Sequence, residues 1–121
     1  MIYRVNDEIL ASAQRSAGDG TTQIRHYSSK EYLWLVVYVT AKSGSPTLNL
    51  TVQCSPVDPS IDSTRWRTVS NLNLTNSMMT SPPKIFATTR MADWSGWVRV
   101  IYTLAGTSTP KITFSLNFEA K

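Results

Sequence analysis

Ile112-Thr113-Phe114-Ser115-Leu116-Asn117-Phe118-Glu119 alternates apolar and polar residues without a fault. Successive side chains of a strand point to opposite faces, so this segment turns Ile112, Phe114, Leu116 and Phe118 toward a core and the rest toward water. Thr47-Leu48-Asn49-Leu50-Thr51-Val52-Gln53-Cys54 repeats the pattern. Between the two, 32–41 is apolar on both phases. Leu33, Leu35, Val37 and Val39 take one face and Tyr32, Trp34, Val36 and Tyr38 the other. Such a strand is covered on both sides, or one side is an interface.

Further strands are expected over 22–26, 65–72, 84–89, 96–104 and 110–119. Residues 6–17 are read as extended, although Asn6 or Asp7 has the chemistry of a short helix cap. Gly18-Asp19-Gly20, Lys42-Ser43-Gly44-Ser45-Pro46 and Ala105-Gly106-Thr107-Ser108-Thr109 carry turn residues. The last two are read as hairpin loops, giving hairpins 33–54 and 96–119. Prolines at 56 and 59 end the strand before them, and 73–83 reads as a long loop. The sum is all-β: a single antiparallel β-sandwich or jelly-roll-like domain of about eight strands. Residues 1–8 are set apart as an N-terminal arm, with 9–121 as the sandwich.

Composition narrows the chemistry. The 121 residues fit one domain and are 41% hydrophobic, which excludes disorder. Charged residues are 17%, below the usual share, and Ser and Thr fill the polar faces. The net charge of +4 is scattered singly, Arg65 and Arg67 beside Trp66 being the densest cluster. No basic stripe or aromatic platform motif marks a nucleic-acid binder. The N-terminus lacks a signal-peptide layout, and no apolar run is long enough to span a bilayer. Asn49-Leu50-Thr51 and Asn73-Leu74-Thr75 match the glycosylation sequon as chance occurrences in a Thr-rich chain. One cysteine, Cys54, cannot form an internal disulfide; it falls on the apolar phase and is read as a small core residue.

No catalytic constellation or cofactor site is legible. His26 stands alone, without the cysteines or clustered carboxylates of a zinc site. Asp58 and Asp62 bracket a loop with too few acids for a calcium site. Four tryptophans remain. Trp66 is read as a core residue or as a face under a flanking guanidinium. Of Trp94 and Trp97, one is expected in the core and the other exposed to a partner or a sugar ring. Trp34 lies on the outer phase of the double-faced strand.

Taken in order along nearly the whole chain, several blocks carry a resemblance. They are 11–20 (Ala-Ser-Ala-Gln-Arg-Ser-Ala-Gly-Asp-Gly), 32–40 (Tyr-Leu-Trp-Leu-Val-Val-Tyr-Val-Thr), 47–56 (Thr-Leu-Asn-Leu-Thr-Val-Gln-Cys-Ser-Pro), Arg65-Trp66, 97–110 (Trp-Val-Arg-Val-Ile-Tyr-Thr-Leu-Ala-Gly-Thr-Ser-Thr-Pro) and Ile112-Thr113-Phe114-Ser115. The chain resembles small β-sandwich virion structural proteins of tailed bacteriophages. The proline-containing 55–63 loop and Met78-Met79 depart from the compact pattern of that group. The resemblance implies a non-enzymatic protein made in the host cytoplasm and carried in the virion on the outer capsid surface. As a capsid decoration (cement) protein it would stabilise the shell, with the major capsid protein or other virion proteins as partners and a homo-oligomer, a trimer, as its state. No direct nucleic-acid contact, membrane or cofactor is implied. A tail, connector or head-fibre component is the alternative within the virion, and a carbohydrate-binding host-adhesion module the alternative outside that role. The candidate interface residues are Tyr32, Trp34, Val36 and Tyr38, the arm residues Ile2, Tyr3 and Arg4 as a strand added to a neighbour's sheet edge, and Trp94.

Overall fold

The computed structural model describes residues 5–27, 30–94 and 96–121. Among the described residues seven strands run in order: β1 Val5–Ser16, β2 Gly18–Thr21, β3 Arg25–His26, β4 Leu33–Ser55, β5 Arg67–Leu74, β6 Lys84–Ala87 and β7 Trp97–Ala120. All pairing between these strands is antiparallel. The hydrogen-bonded path is β1-β7-β4-β5, with β2 and β3 also on β7 and β6 on β4. No helix is found among the described residues.

The two expected hairpins do not form. Instead β4 and β7 pair with each other along their whole lengths, from Leu33 opposite Ala120 to Ser55 opposite Trp97. The residues read as hairpin loops form a corner through which both strands pass. There the register slips: Ser43 faces Lys111 and Ser45 faces Thr107, so Ser108, Thr109 and Pro110 stand against Gly44 alone. Gly44 (φ 69°), Gly106 (φ 134°), Ser108 (φ 62°) and Thr109 (φ 52°) take the left-handed bend. Strands that switch layers of a sandwich bend at such bulges. A Cβ on Gly106 would lie 2.2 Å from the Ser45 carbonyl oxygen, so only glycine fits this crossing.

Beyond the corner the sheet lies over itself as a β-sandwich. The first layer holds β1, residues 111–120 of β7, 33–43 of β4, and β6. The second holds β2 and β3, residues 97–107 of β7, 45–55 of β4, and β5. Counted by layer, β4 and β7 each serve twice. Leu33, Leu35, Val37 and Val39 from one layer and Leu48, Leu50, Val52 and Cys54 from the other are fully buried in one cluster with Phe114, Leu116 and Phe118.

Several local readings shift. Gly18–Thr21 is strand rather than turn, and 22–26 shortens to Arg25–His26. Residues 6–17 are extended, but register shifts between Glu8 and Leu10 and between Leu10 and Ala13 break their alternation. The boundary set for an arm at residue 8 falls inside β1, where Val5 already faces Ala120. In the expected 73–83 loop Met79 is fully buried and plugs the core.

Two buried threonines finish the edges. Where the chain leaves β2, Thr22 donates its N–H to the Val100 carbonyl, and its Oγ1 accepts the Val100 N–H at 2.9 Å. After β6, Thr88 donates to the Leu35 carbonyl and accepts the Leu35 N–H on Oγ1 at 3.0 Å. A hydroxyl thus satisfies a buried ladder amide that the departing backbone no longer serves.

The N-terminal half of β1 is tied to the second layer by Asp7. The Tyr27 hydroxyl donates to Asp7 Oδ2 at 2.6 Å and Arg25 Nε to the same oxygen at 2.9 Å. Tyr27 also meets Phe118 edge-on at 6.1 Å. Burial first, then the hydrogen bond to Asp7 and its charge, push the Tyr27 phenol well above the ordinary tyrosine range. A group raised on folding contributes stability in full below its unfolded pKa, here about 10, and loses it as pH rises beyond. Wild-type unfolding free energy therefore falls above about pH 10 more steeply than that of Tyr27→Phe, by up to about 1.4 kcal/mol per pH unit. At neutral pH the variant is about 1–2 kcal/mol less stable. Urea titrations between about pH 8 and 11 test this: parallel curves would show that the phenol does not ionise differently on folding.

Candidate binding faces

Each layer turns one face to the core and one outward. On the first layer the outward face is the even phase of β4. Trp34 and Tyr38, with Tyr32 just before the strand, are half-buried there, while Val36 is buried at 7% exposed and offers little surface to a partner. The Tyr32 and Trp34 rings lie 6.4 Å apart, and the Arg90 guanidinium sits 4.1 Å over Tyr32. Ile85 of β6 stands opposite Tyr38 and is 66% exposed. On the β7 side Glu119, Asn117 and Ser115 stand opposite Trp34, Val36 and Tyr38. The face is an aromatic and aliphatic stripe between a short edge strand and a polar row.

Trp94 is not part of it. It packs against the core cluster, meets Tyr27 at 6.3 Å, and its indole N–H donates to the Glu31 carbonyl at 3.3 Å. Ile2, Tyr3 and Arg4 lie outside the described residues. Ile85 and Arg90 join the stripe from segments distant in sequence; Ile85 is followed by apolar Phe86 and Ala87, so nothing local marks it as the outward residue.

The second layer presents a different outward face. Val98 and Val100 point inward, so Trp97 and Arg99 point out. Trp97 stacks on exposed His26 with centroids 4.4 Å apart and a 35° tilt. Arg99 lies 4.1 Å over the Trp66 ring and donates from Nε to Gln53 Oε1 at 3.0 Å. Burial pushes the Arg99 guanidinium below its ordinary value and still leaves it charged. Beyond this row, Thr51 donates from its hydroxyl to Asn71 Oδ1 at 2.9 Å, and Asn49 faces Asn73.

The flanking arginines do not stack on Trp66. Arg65 pairs with Asp62 at 3.0 Å and Arg67 with Asp93 at 3.6 Å, so the cluster is spent on local ion pairs. Asp58 and Asp62 close turns instead of opening a ligand loop: Asp58 accepts from Ser60, and Asp62 from Thr64 and Arg65. Those hydrogen bonds hold Asp62 down to about 2. No group of three or more His, Cys, Asp or Glu side chains is placed to hold a metal ion among the described residues.

No family model matches the chain, and no curated protein matches it. Solved structures do resemble it. The CBM36-1 domain of a multidomain xylanase from the hindgut metagenome of Trinervitermes trinervoides superposes with a TM-score of 0.51 at 4% identity, over 98% of this chain and 97% of that one. The CBM22-1–GH10 modules of Clostridium thermocellum endo-1,4-beta-D-xylanase 10B, complexed with xylohexaose, give 0.50 at 9% identity, over 100% of this chain and 29% of that one. A structure from the disulfide-linked pili of Bacillus endospore appendages reaches 0.42 at 12% identity, over 98% and 88%. At such identities the likeness to the two carbohydrate-binding modules establishes the shared β-sandwich and nothing of ligand or role. The pilus match carries no further weight.

Proposed function

We propose that this chain is a non-catalytic structural module of a tailed-phage virion, a decoration protein that attaches to the outer shell through the outward face of its first layer. The observation that carries the reading is the Tyr32–Trp34–Tyr38 stripe with Ile85 beside it, kept on the outward face and left partly exposed. Trp and Tyr anchors of this kind dominate protein interfaces. The ordered blocks of sequence resemblance, spanning most of the chain, point to the same class.

The mechanism is mechanical. Packaged DNA presses neighbouring capsid subunits apart, and a module bridging a seam opposes that with buried apolar area, roughly 25 cal/mol per Å² before ordering losses. A trimeric arrangement multiplies a modest contact, because each further subunit binds at a high effective concentration. A tail, connector or head-fibre position would use the same stripe against a different partner.

Cosedimentation with expanded, DNA-free heads of the encoding phage, prepared without this protein, tests the proposal. Wild type is expected to load to a regular stoichiometry. The double variant Trp34→Glu, Tyr38→Glu is expected to bind at least about tenfold more weakly, with its melting transition retained as the fold control. Equal loading by the folded variant would show that another surface attaches. Failure of the wild type to load would remove the decoration role.

A further inference from the structure

We infer that the outward face of the second layer, centred on Trp97, Arg99, Gln53 and Trp66, binds a neutral glycan chain. The inference holds whether or not the first layer sits on a shell, since the two faces point away from each other.

Stacking chemistry supplies the first part. A sugar ring has an apolar C–H face and a rim of hydroxyls, so it is held by an aromatic plate flanked by groups that both donate and accept. Trp97 and Trp66 are only half-buried although neither belongs to the core cluster. Both are fixed in place before any ligand arrives, Trp97 against His26 at 4.4 Å and Trp66 under Arg99 at 4.1 Å. Rings already held in place lose little entropy when a ligand stacks on them. Trp97 and Arg99 are two residues apart on one strand, so the stacked rows are spaced about 7 Å along it. That separation suits a chain ligand running along the strand, where it meets both rows, better than a single sugar.

The polar groups choose the ligand class. Gln53 uses its amide oxygen to accept from Arg99 Nε, and its amide nitrogen is a donor besides. Asn71, opposite Thr51 on the neighbouring strand, has the same mixed capacity. Amides and hydroxyls match sugar hydroxyls one for one. The face carries one cation rather than a basic stripe: Arg99 stays charged beside the neutral Gln53 and Trp66, while Arg65 and Arg67 are each opposed by a carboxylate, Asp62 and Asp93. A phosphate chain would call for a basic stripe that this face lacks. An anionic polysaccharide is disfavoured for the same reason.

Affinity electrophoresis tests this. The full chain is run through native gels containing hydroxyethylcellulose, arabinoxylan, galactomannan or dextran, with polygalacturonate as the anionic control. Retardation by at least one neutral polymer is expected, weakened at least tenfold in Trp97→Ala and unchanged in Ile85→Ser on the opposite face. Gln53→Ala, which removes only a surface amide, is expected to weaken retardation about three- to tenfold and keeps the test valid should Trp97→Ala fail to fold. Three results would overturn the inference: no retardation by any of the four neutral polymers, retardation by polygalacturonate alone, or retardation that survives both Gln53→Ala and a folded Trp97→Ala.

Discussion

Gly106→Ala is expected to lower the unfolding free energy by roughly 3 kcal/mol, while Thr107→Ala one residue on stays within about 0.5 kcal/mol. Gly106 sits at φ 134°, a region that side chains rarely adopt. Its missing Cβ is also where the Ser45 carbonyl oxygen passes, 2.2 Å from the position a methyl would take. The carbonyl is backbone and a Cβ is fixed by its own backbone, so neither can swing aside, and β4 and β7 must separate at the corner to admit the methyl. Thr107 is exposed and asks for no such adjustment. Equilibrium urea unfolding of the two variants reads the difference. A Gly106→Ala protein as stable as wild type would mean that residues 105–109 form an ordinary loop with room to spare, as the turn chemistry of the sequence alone suggests.

Phe114→Ala is expected to cost about 3–5 kcal/mol, a large part of the 5–15 kcal/mol that holds a domain together. Phe114 is wholly buried next to the corner. Tyr102 of the opposite layer meets it edge-on at 5.4 Å, and the Arg15 guanidinium lies 4.8 Å over its ring. The same guanidinium donates to the carbonyls of Phe114 at 2.7 Å, Ala11 at 2.7 Å and Ala13 at 3.1 Å, stapling the bulged part of β1 to β7. Removing the ring therefore opens a cavity between layers and strips the support from that staple. Arg15→Ala is expected to lose less, since it leaves the core filled. A shifted urea midpoint at unchanged slope would identify the loss as native-state stability; a loss below about 1 kcal/mol would mean that the two layers do not close on Phe114.

Period-two alternation made the inner faces of β4 and β7 legible, because a strand buried on one side has no other way to arrange Leu48, Leu50, Val52 or Phe114, Leu116, Phe118. The corner was misread for a physical reason. Glycine, serine and proline supply positive φ and interrupt a ladder wherever the chain bends, and a bend within a strand asks for the same residues as a turn between strands. The choice between them depends on which strand is the partner, a long-range fact that local sequence does not carry. The Tyr32–Trp34–Tyr38 stripe was legible from alternation alone. The Trp66–Arg99 stack was not, since the two residues are far apart in the chain and Arg65 and Arg67 offered nearer candidates. Its visible trace was the outward phase of Arg99 between inward Val98 and Val100. Thr22 and Thr88 look like any other threonines until the backbone amides they satisfy are placed beside them.

Image reconstruction of expanded heads loaded with the protein tests the shell-binding role most directly. The prediction is regular density on the outer shell, with the Tyr32–Trp34–Tyr38 face toward the capsid and the Trp66–Trp97 face toward solvent. An undecorated shell, with the protein at a vertex or along a tail, would contradict decoration. Density that contacts the shell through the Trp66–Trp97 face would contradict the assignment of the two faces.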